Sequence, residues 1–415
     1  AKCGFDPGPD SMKKFERACR LVIPKMQPDE LTQYVWACAS LRYRPSFSFL
    51  QVYESRAESA PARYDTEAVT LNLWAYATLG LALGEKLSER FADELESFTV
   101  QTKSAYDNKN TPDAFKPQDL SLGFWASAVL VTQPVLCEDD STMTGDDSIQ
   151  SSPRRSAQLK RVVTSYAQHL PYLSPSQITE EGLSAVFAAT LALRQIKPEV
   201  HKALRNEWEA LLEPAERAWR DTKTKNPTVS KLQKDVGVAL ENLGIEFVSE
   251  KPVRGGLIRP DFVLTQTFNV DESHDEVDDE YSKDENTAAV KKPKRSRIVV
   301  EVDGPYHYSR EPSVDILSSD GLEDWFSGGR GNKGTGSETY SDESVELESD
   351  KHKQPRGVGR LGDGNYADGG GRWPLGSTVL RNQLLRSWGM TVVTVSYYEW
   401  ERLGTKGGKE GFILG

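Results

Sequence analysis

The chain predicts an α-helical repeat solenoid followed by a smaller α/β domain, on three observations. The signature W-A-x-A recurs at Trp36, Trp74 and Trp125, Asn226-Pro227-Thr228 interrupts the helical pattern, and beyond that break short apolar runs alternate with helical stretches. The expected boundaries are a repeat array over residues 1–225 and an α/β domain over residues 226–415, the latter with low-complexity insertions near 266–296 and 309–374.

Each copy of the signature places a leucine five residues after the tryptophan, at Leu41, Leu79 and Leu130, and Phe187-Ala188 reads as a degenerate fourth copy. The first interval is 38 residues, and the second is longer by about the polar stretch from Lys103 to Ala114. A period of this size marks stacked helical hairpins, because one hairpin cannot bury its own apolar face. Leu31, Val35 and Ala39 fall on one helical stripe, and the small alanines let the next helix approach closely. Helix starts are expected at Pro28-Asp29, Asp65-Thr66, Gln118-Asp119 and Ser176, with second helices near 46–56 and 85–100. Trp36, Trp74 and Trp125 are expected first in the packing, with base stacking as the lesser alternative. Thr32, Gln33, Thr70, Asn72, Ser121 and Gly123 are the polar or small positions that an exposed reading face would use. Lys197 to Thr222 reads as the last helix of the array.

After the break, Ser230 to Gly244 reads as an amphipathic helix with Leu232, Val236, Ala239, Leu240 and Leu243 inward and Gly244 as its stop. Strands are expected at 245–249, 260–265, 297–302 and 390–396, a turn at 253–258, and helices at 379–388 and 398–403. Both insertions fall between elements, where a fold tolerates them.

The net charge of −11 looks unsuited to a nucleic-acid partner, but about −14 of it sits in 138–152, 266–296 and 309–374, leaving the remainder near +3. Such Gly-, Ser- and Asp-rich stretches bury little apolar surface. The basic run Lys291 to Arg297 is expected to be a solvated counterweight to its acidic neighbour, with a phosphate-binding arm as the lesser alternative. Cys3, Cys19, Cys38 and Cys137 are far apart, without a C-x-x-C pair, which argues against a zinc site or a disulfide framework and fits a reducing compartment. No apolar run approaches a membrane span, so no membrane partner is expected. The first residue, Ala1, suggests a fragment or a processed chain, from which a transit peptide is expected to be missing.

Asp261 opens one expected strand, and Glu301 and Asp303 close another, so three carboxylates can meet at one sheet edge, as a Mg²⁺-dependent phosphodiesterase requires. Gly304-Pro305 turns the chain and presents Tyr306 and Tyr308, which suit base stacking, and His307, which reads equally as a general base or RNA contact and as a turn histidine bonded to Asp303. Arg381 and Arg386 on the 379–388 helix are expected on one polar side, able to neutralise phosphates. Trp400 is expected in the core, anchoring the terminal helix.

The fragments RPDFVL, RIVVEVDGPYHY, VLRNQLLRSWGMTVVTVSYYEW and EGFILG, in that order, resemble the RAP domain over residues 228–415 apart from the insertions. RAP domains are modules of organellar RNA-binding proteins whose fold is related to restriction endonucleases. The array, over roughly 10–222, resembles octotricopeptide-type repeats. The resemblance implies a mitochondrial or chloroplast protein that holds single-stranded mRNA or rRNA in RNA processing, stability, translation or ribosome assembly. It implies RNA contacts at Tyr306, His307, Tyr308, Arg381 and Arg386, and no cofactor. An enzymatic alternative is a Mg²⁺-dependent endoribonuclease using Asp261, Glu301 and Asp303 as catalytic groups and metal ligands. Nuclease relatives carry Pro-Asp and then D/E-x-K. Asp303 stands where that lysine belongs, which weakens the hydrolytic reading. A third reading is a protein scaffold within an organellar ribonucleoprotein or ribosome.

Overall fold

The computed structural model describes residues 7–105, 115–133, 153–204, 208–224, 229–265, 297–309 and 373–414. These are mostly helical, with one four-stranded sheet near the C-terminus. No helix among them is long and apolar enough to cross a membrane.

The helices of the front half form two rows. One holds α2 (Pro28–Ser40), α4 (Thr66–Leu79), α6 (Pro117–Thr132), α8 (Glu180–Ile196) and α10 (Glu209–Thr224), each packed on the next. The other holds α1 (Gly8–Val22), α3 (Phe47–Ser59), α5 (Glu85–Ala105) and α7 (Pro153–Ala167). Caps set the boundaries. Asp65 accepts from the Ala68 N–H, Ser46 from Phe49 and Thr179 from Gly182, each satisfying a donor that the first helical turn leaves unpaired. Proline opens α2 and α6, where its missing N–H costs nothing. Two expectations shift: α8 begins at Glu180, because Pro175–Gln177 forms a separate turn of 3-10 helix, and the expected 197–222 helix is broken into α9 (Pro198–Ala203) and α10.

Behind α11 (Lys231–Asn242), which ends at Leu243 before Gly244 at φ +68°, come β1 (Phe247–Ser249), β2 (Phe262–Leu264) and β3 (Arg297–Asp303). Then follow α12 (Gly376–Ser387), β4 (Met390–Ser396), α13 (Tyr397–Arg402) and a closing helix, α14 (Lys406–Leu414), that the three glycines at 407, 408 and 411 hid from the sequence pattern. The sheet order is β1-β2-β3-β4, antiparallel except for β3 and β4, which α12 joins as a parallel crossover.

Alternation along the strands divides the core. Phe262, Leu264, Val300 and Val302 pack with Val236 and Leu240 of α11 and with Trp400, which is buried as expected. Val263 and Val299, on the opposite face, join the core of the helical array through Leu380, Leu384 and Leu385 of α12. Helix α12 is thus covered on both sides. It packs on α4, α6 and α8, with the Gln383 amide donating to the Thr132 carbonyl at 3.1 Å. At its first residue a Cβ would lie 1.8 Å from the Ala77 carbonyl oxygen, so only glycine permits this approach.

Candidate functional site

The register that pairs Val263 with Val299 places Asp261, Glu301 and Asp303 on the sheet face beneath α12. Glu301 and Asp303 are fully buried. Helix α12 delivers Arg381 to them: its Nη2 lies 2.6 Å from Asp303 Oδ1, where it donates a hydrogen bond, and 3.2 Å from Glu301 Oε2, without hydrogen-bond geometry. Asp261 Oδ2 accepts the Val302 N–H at 2.6 Å. Burial pushes the Glu301 carboxyl up to about 8 against the pull of Arg381, and lifts Asp261 to about 6. Burial also works against the charge of Arg381, but Glu301 and Asp303 outweigh it and hold the guanidinium above its usual range. His307 faces Asp303 at 3.5 Å and Thr378 Oγ1 at 3.2 Å through Nδ1, and burial lowers its basicity.

The aromatic and basic candidates part company. Tyr306 is 74 % exposed and carries the Arg42 guanidinium over one ring face at 4.6 Å, with Arg42 also donating to the Tyr306 carbonyl. Tyr308 is buried, edge-on to Tyr398 at 5.4 Å, so its ring serves the core and offers no stacking surface. Arg381 is committed to the carboxylates, whereas Arg386 is exposed at the far end of α12. Five residues turn a helix by more than a third of a circle, so the two do not share a side. The sequence reading missed Arg42 and Arg44, in the turn after α2. Arg44 is buried, with its guanidinium 4.5 Å from the Trp373 ring centre and a hydrogen bond to the Leu79 carbonyl. The only available signal was R-Y-R directly after a helix.

In the array, the expected reading positions are mostly internal. Thr32, Thr70, Asn72, Ser121 and Gly123 are buried. Asn72 donates to Thr32 at 2.7 Å and accepts from Tyr53, Thr70 and the Tyr166 hydroxyl lie 2.8 Å apart, and Gly123 makes room for the Tyr166 ring. Only Gln33 is exposed. The open stripe is instead set by the tryptophans, each half-buried at an equivalent place. Asp29, Gln33, Trp36 and Ser40 on α2 correspond to Glu67, Leu71, Trp74 and Thr78 on α4, and to Gln118, Leu122 and Trp125 on α6. The fourth rung is closed, because Phe187 is covered by Trp219 of α10 at 6.0 Å between ring centres.

Residues 361–414 match one known protein family. The chain carries a RAP domain. No curated protein matches the chain at a significant level. RAP domains are typically linked to RNA binding, and the helical N-terminal region is consistent with helical repeats. Of the matched residues, those described supply α12, β4, α13 and α14, and therefore Arg381 and Arg386. The three carboxylates and Tyr306 to Tyr308 lie upstream of the match, held to it by β3–β4 pairing and by the Tyr308–Pro374 bridge.

The carboxylates beside the RAP match do not fit the metal centre that a hydrolytic reading requires. Arg381 contacts two of them, and one oxygen of Asp261 is used by the Val302 N–H. Among the described residues, no three His, Cys, Asp or Glu side chains are arranged to hold a metal ion.

Proposed function

We propose that this is an RNA-binding protein of mitochondria or chloroplasts, in which a solenoid of helical repeats holds single-stranded RNA and a RAP domain of restriction-endonuclease-like fold caps one side. The observation that carries the reading is the RAP match together with the open stripe, which presents one half-buried indole on each of three successive helices. Neighbouring helices pack about 8–10 Å apart, so Trp36, Trp74 and Trp125 make a ladder on which bases can stack irrespective of sequence. Gln33, Glu67 and Gln118, beside the ladder, offer hydrogen-bonding groups to base edges. Elsewhere on the molecule, exposed Arg386 and the Arg42–Tyr306 pair add cationic and stacking groups that suit phosphates and bases.

Function follows from occupancy: RNA lying on the ladder is shielded from nucleases or kept unfolded, and no cofactor is required. RNA processing, stability, translation and ribosome assembly are the roles such occupancy serves.

The test is crosslinking of the tagged protein in its own cells with sequencing of the attached RNA, joined to titration of the purified chain with single-stranded RNA. A footprint on one or a few organellar transcripts is expected. Trp74→Ala and Trp125→Ala should each lose about 1–3 kcal/mol of RNA affinity, roughly 5- to 150-fold. Absent crosslinks, with protein partners that copurify through ribonuclease treatment, would replace RNA by a protein ligand on the same stripe.

A further inference from the structure

Three carboxylates on one buried sheet face present a charge problem. Asp261, Glu301 and Asp303 come from adjacent strands, and such groups leave water without a large penalty only when a cation or hydrogen bonds replace the solvent. Hydrogen bonds do not suffice here. Both oxygens of Glu301 and Oδ2 of Asp303 have no hydrogen-bond partner although they are sealed from water. Among the described residues, the groups that face them are the Arg381 guanidinium, with Nη2 within 3.2 Å of Glu301 and 2.6 Å of Asp303, and the His307 ring, whose Nδ1 lies 3.5 Å from Asp303 Oδ1.

We propose that Arg381 is the built-in counter-ion of this cluster, standing where a divalent cation would have to bind, so that the intact protein is indifferent to metal and loss of Arg381 converts the cluster into a cation site. Two features support this. Arg381 comes from the crossover helix between the two parallel strands, and α12 is fixed from behind by the array through Gln383 and Gly376, so the backbone that carries the guanidinium is held over the cluster. Contacts within the cluster also occupy its carboxylates without a second cation. Arg381 donates to Asp303 and lies 3.2 Å from Glu301, and Asp261 accepts a backbone N–H. Once Arg381 is removed, the unpartnered oxygens of Glu301 and Asp303 are the hard ligands that Mn²⁺ or Mg²⁺ takes. The proposal stands apart from the RNA reading, since it concerns a buried cluster beneath α12 and no residue of the tryptophan stripe.

The experiment measures thermal unfolding of the full chain across a Mn²⁺ titration, with Mn²⁺ binding followed by electron paramagnetic resonance. The wild-type midpoint should not move. Arg381→Met should melt lower, recover part of the loss as Mn²⁺ is added, and bind the ion saturably, and adding Glu301→Gln to it should abolish both effects. A wild-type chain stabilised by Mn²⁺ in a manner that Glu301→Gln removes would overturn the proposal, as would a folded Arg381→Met that ignores the ion. Should Arg381→Met fail to fold even with Mn²⁺, Arg381→Lys, which keeps the charge, takes its place: indifference to Mn²⁺ supports the counter-ion, and stabilisation by it overturns it.

Discussion

Asn72 in the helical array and Asp303 in the α/β domain are both sealed from solvent, yet they are partnered in opposite ways. Asn72 uses its whole amide, donating to Thr32 and the Ala68 carbonyl and accepting from Tyr53. Asp303 places one oxygen on Arg381 and leaves the other without a hydrogen bond. Neutral networks of the first kind fix the packing of one helix on the next and have no capacity left for a ligand. A charge cluster of the second kind depends on one cation, and every member is exposed to the loss of another.

That contrast ranks the expected effects. Asp303→Ala removes the closest partner of Arg381 and leaves a guanidinium beneath α12 with only the looser Glu301 contact. It should cost about 3–5 kcal/mol in denaturant unfolding. An effect under 1 kcal/mol would mean that water already reaches the cluster. Next is a titratable group that would break the rule within the array. His169 is buried against Phe115 at 4.8 Å between ring centres, and burial pushes its basicity down to about 4. The unfolded chain binds that proton at higher pH than the folded one. His169 therefore costs nothing near neutrality, and the array loses stability as pH falls through the window from 6.5 to about 4. The loss reaches about 3 kcal/mol. His169→Phe should flatten this acid limb of the melting curve. Asp119, lifted by burial to about 6, works with the opposite sign, since its stability term falls as pH rises toward 6, and the histidine variant should expose that slope.

Asn72→Ala comes third, at about 1–3 kcal/mol of stability for stranding Tyr53 and Thr32, with RNA affinity of the folded fraction unchanged. A change in affinity at constant stability would return Asn72 to the reading face. Smallest is Arg42→Ala, which removes the cation from the exposed Tyr306 ring and should cost about 0.5–1 kcal/mol of stability. A larger drop in RNA affinity than in stability would place that pair in the ligand path.

Much of the fold was legible because its signals are local. Asp65 as a cap, the prolines of α2 and α6, and Gly244 after α11 act within one turn of where they stand. The alternation that buries Val300 and Val302 on one face and Glu301 and Asp303 on the other is written in β3 itself. The site was half legible. That the carboxylates meet could be read from strand ends, but the partner of Asp303 lies 78 residues away, and nothing in R-N-Q-L-L-R says which arginine turns inward. The array candidates failed for a related reason. Helices α4 and α6 are apolar almost all round, so periodicity does not show which small polar residue lies against a neighbour, and Thr70 and Asn72 proved to be the inner ones. The tryptophans were read as packing residues, and Trp74 and Trp125 do pack against the core, while each side chain is large enough to keep one edge at the surface.

Helix α12 touches α4, α6 and α8 together. In a stack where every unit meets only its neighbours, unfolding is piecemeal, with the ends fraying long before the middle. A brace laid across three units links α4 to α8 directly, and the middle of the array then opens as one cooperative block or stays closed. Hydrogen exchange should report a shared opening energy for α4, α6, α8 and α12, and a lower one for α1. The rungs that carry Trp74 and Trp125 would thus keep a constant spacing whether or not anything is bound.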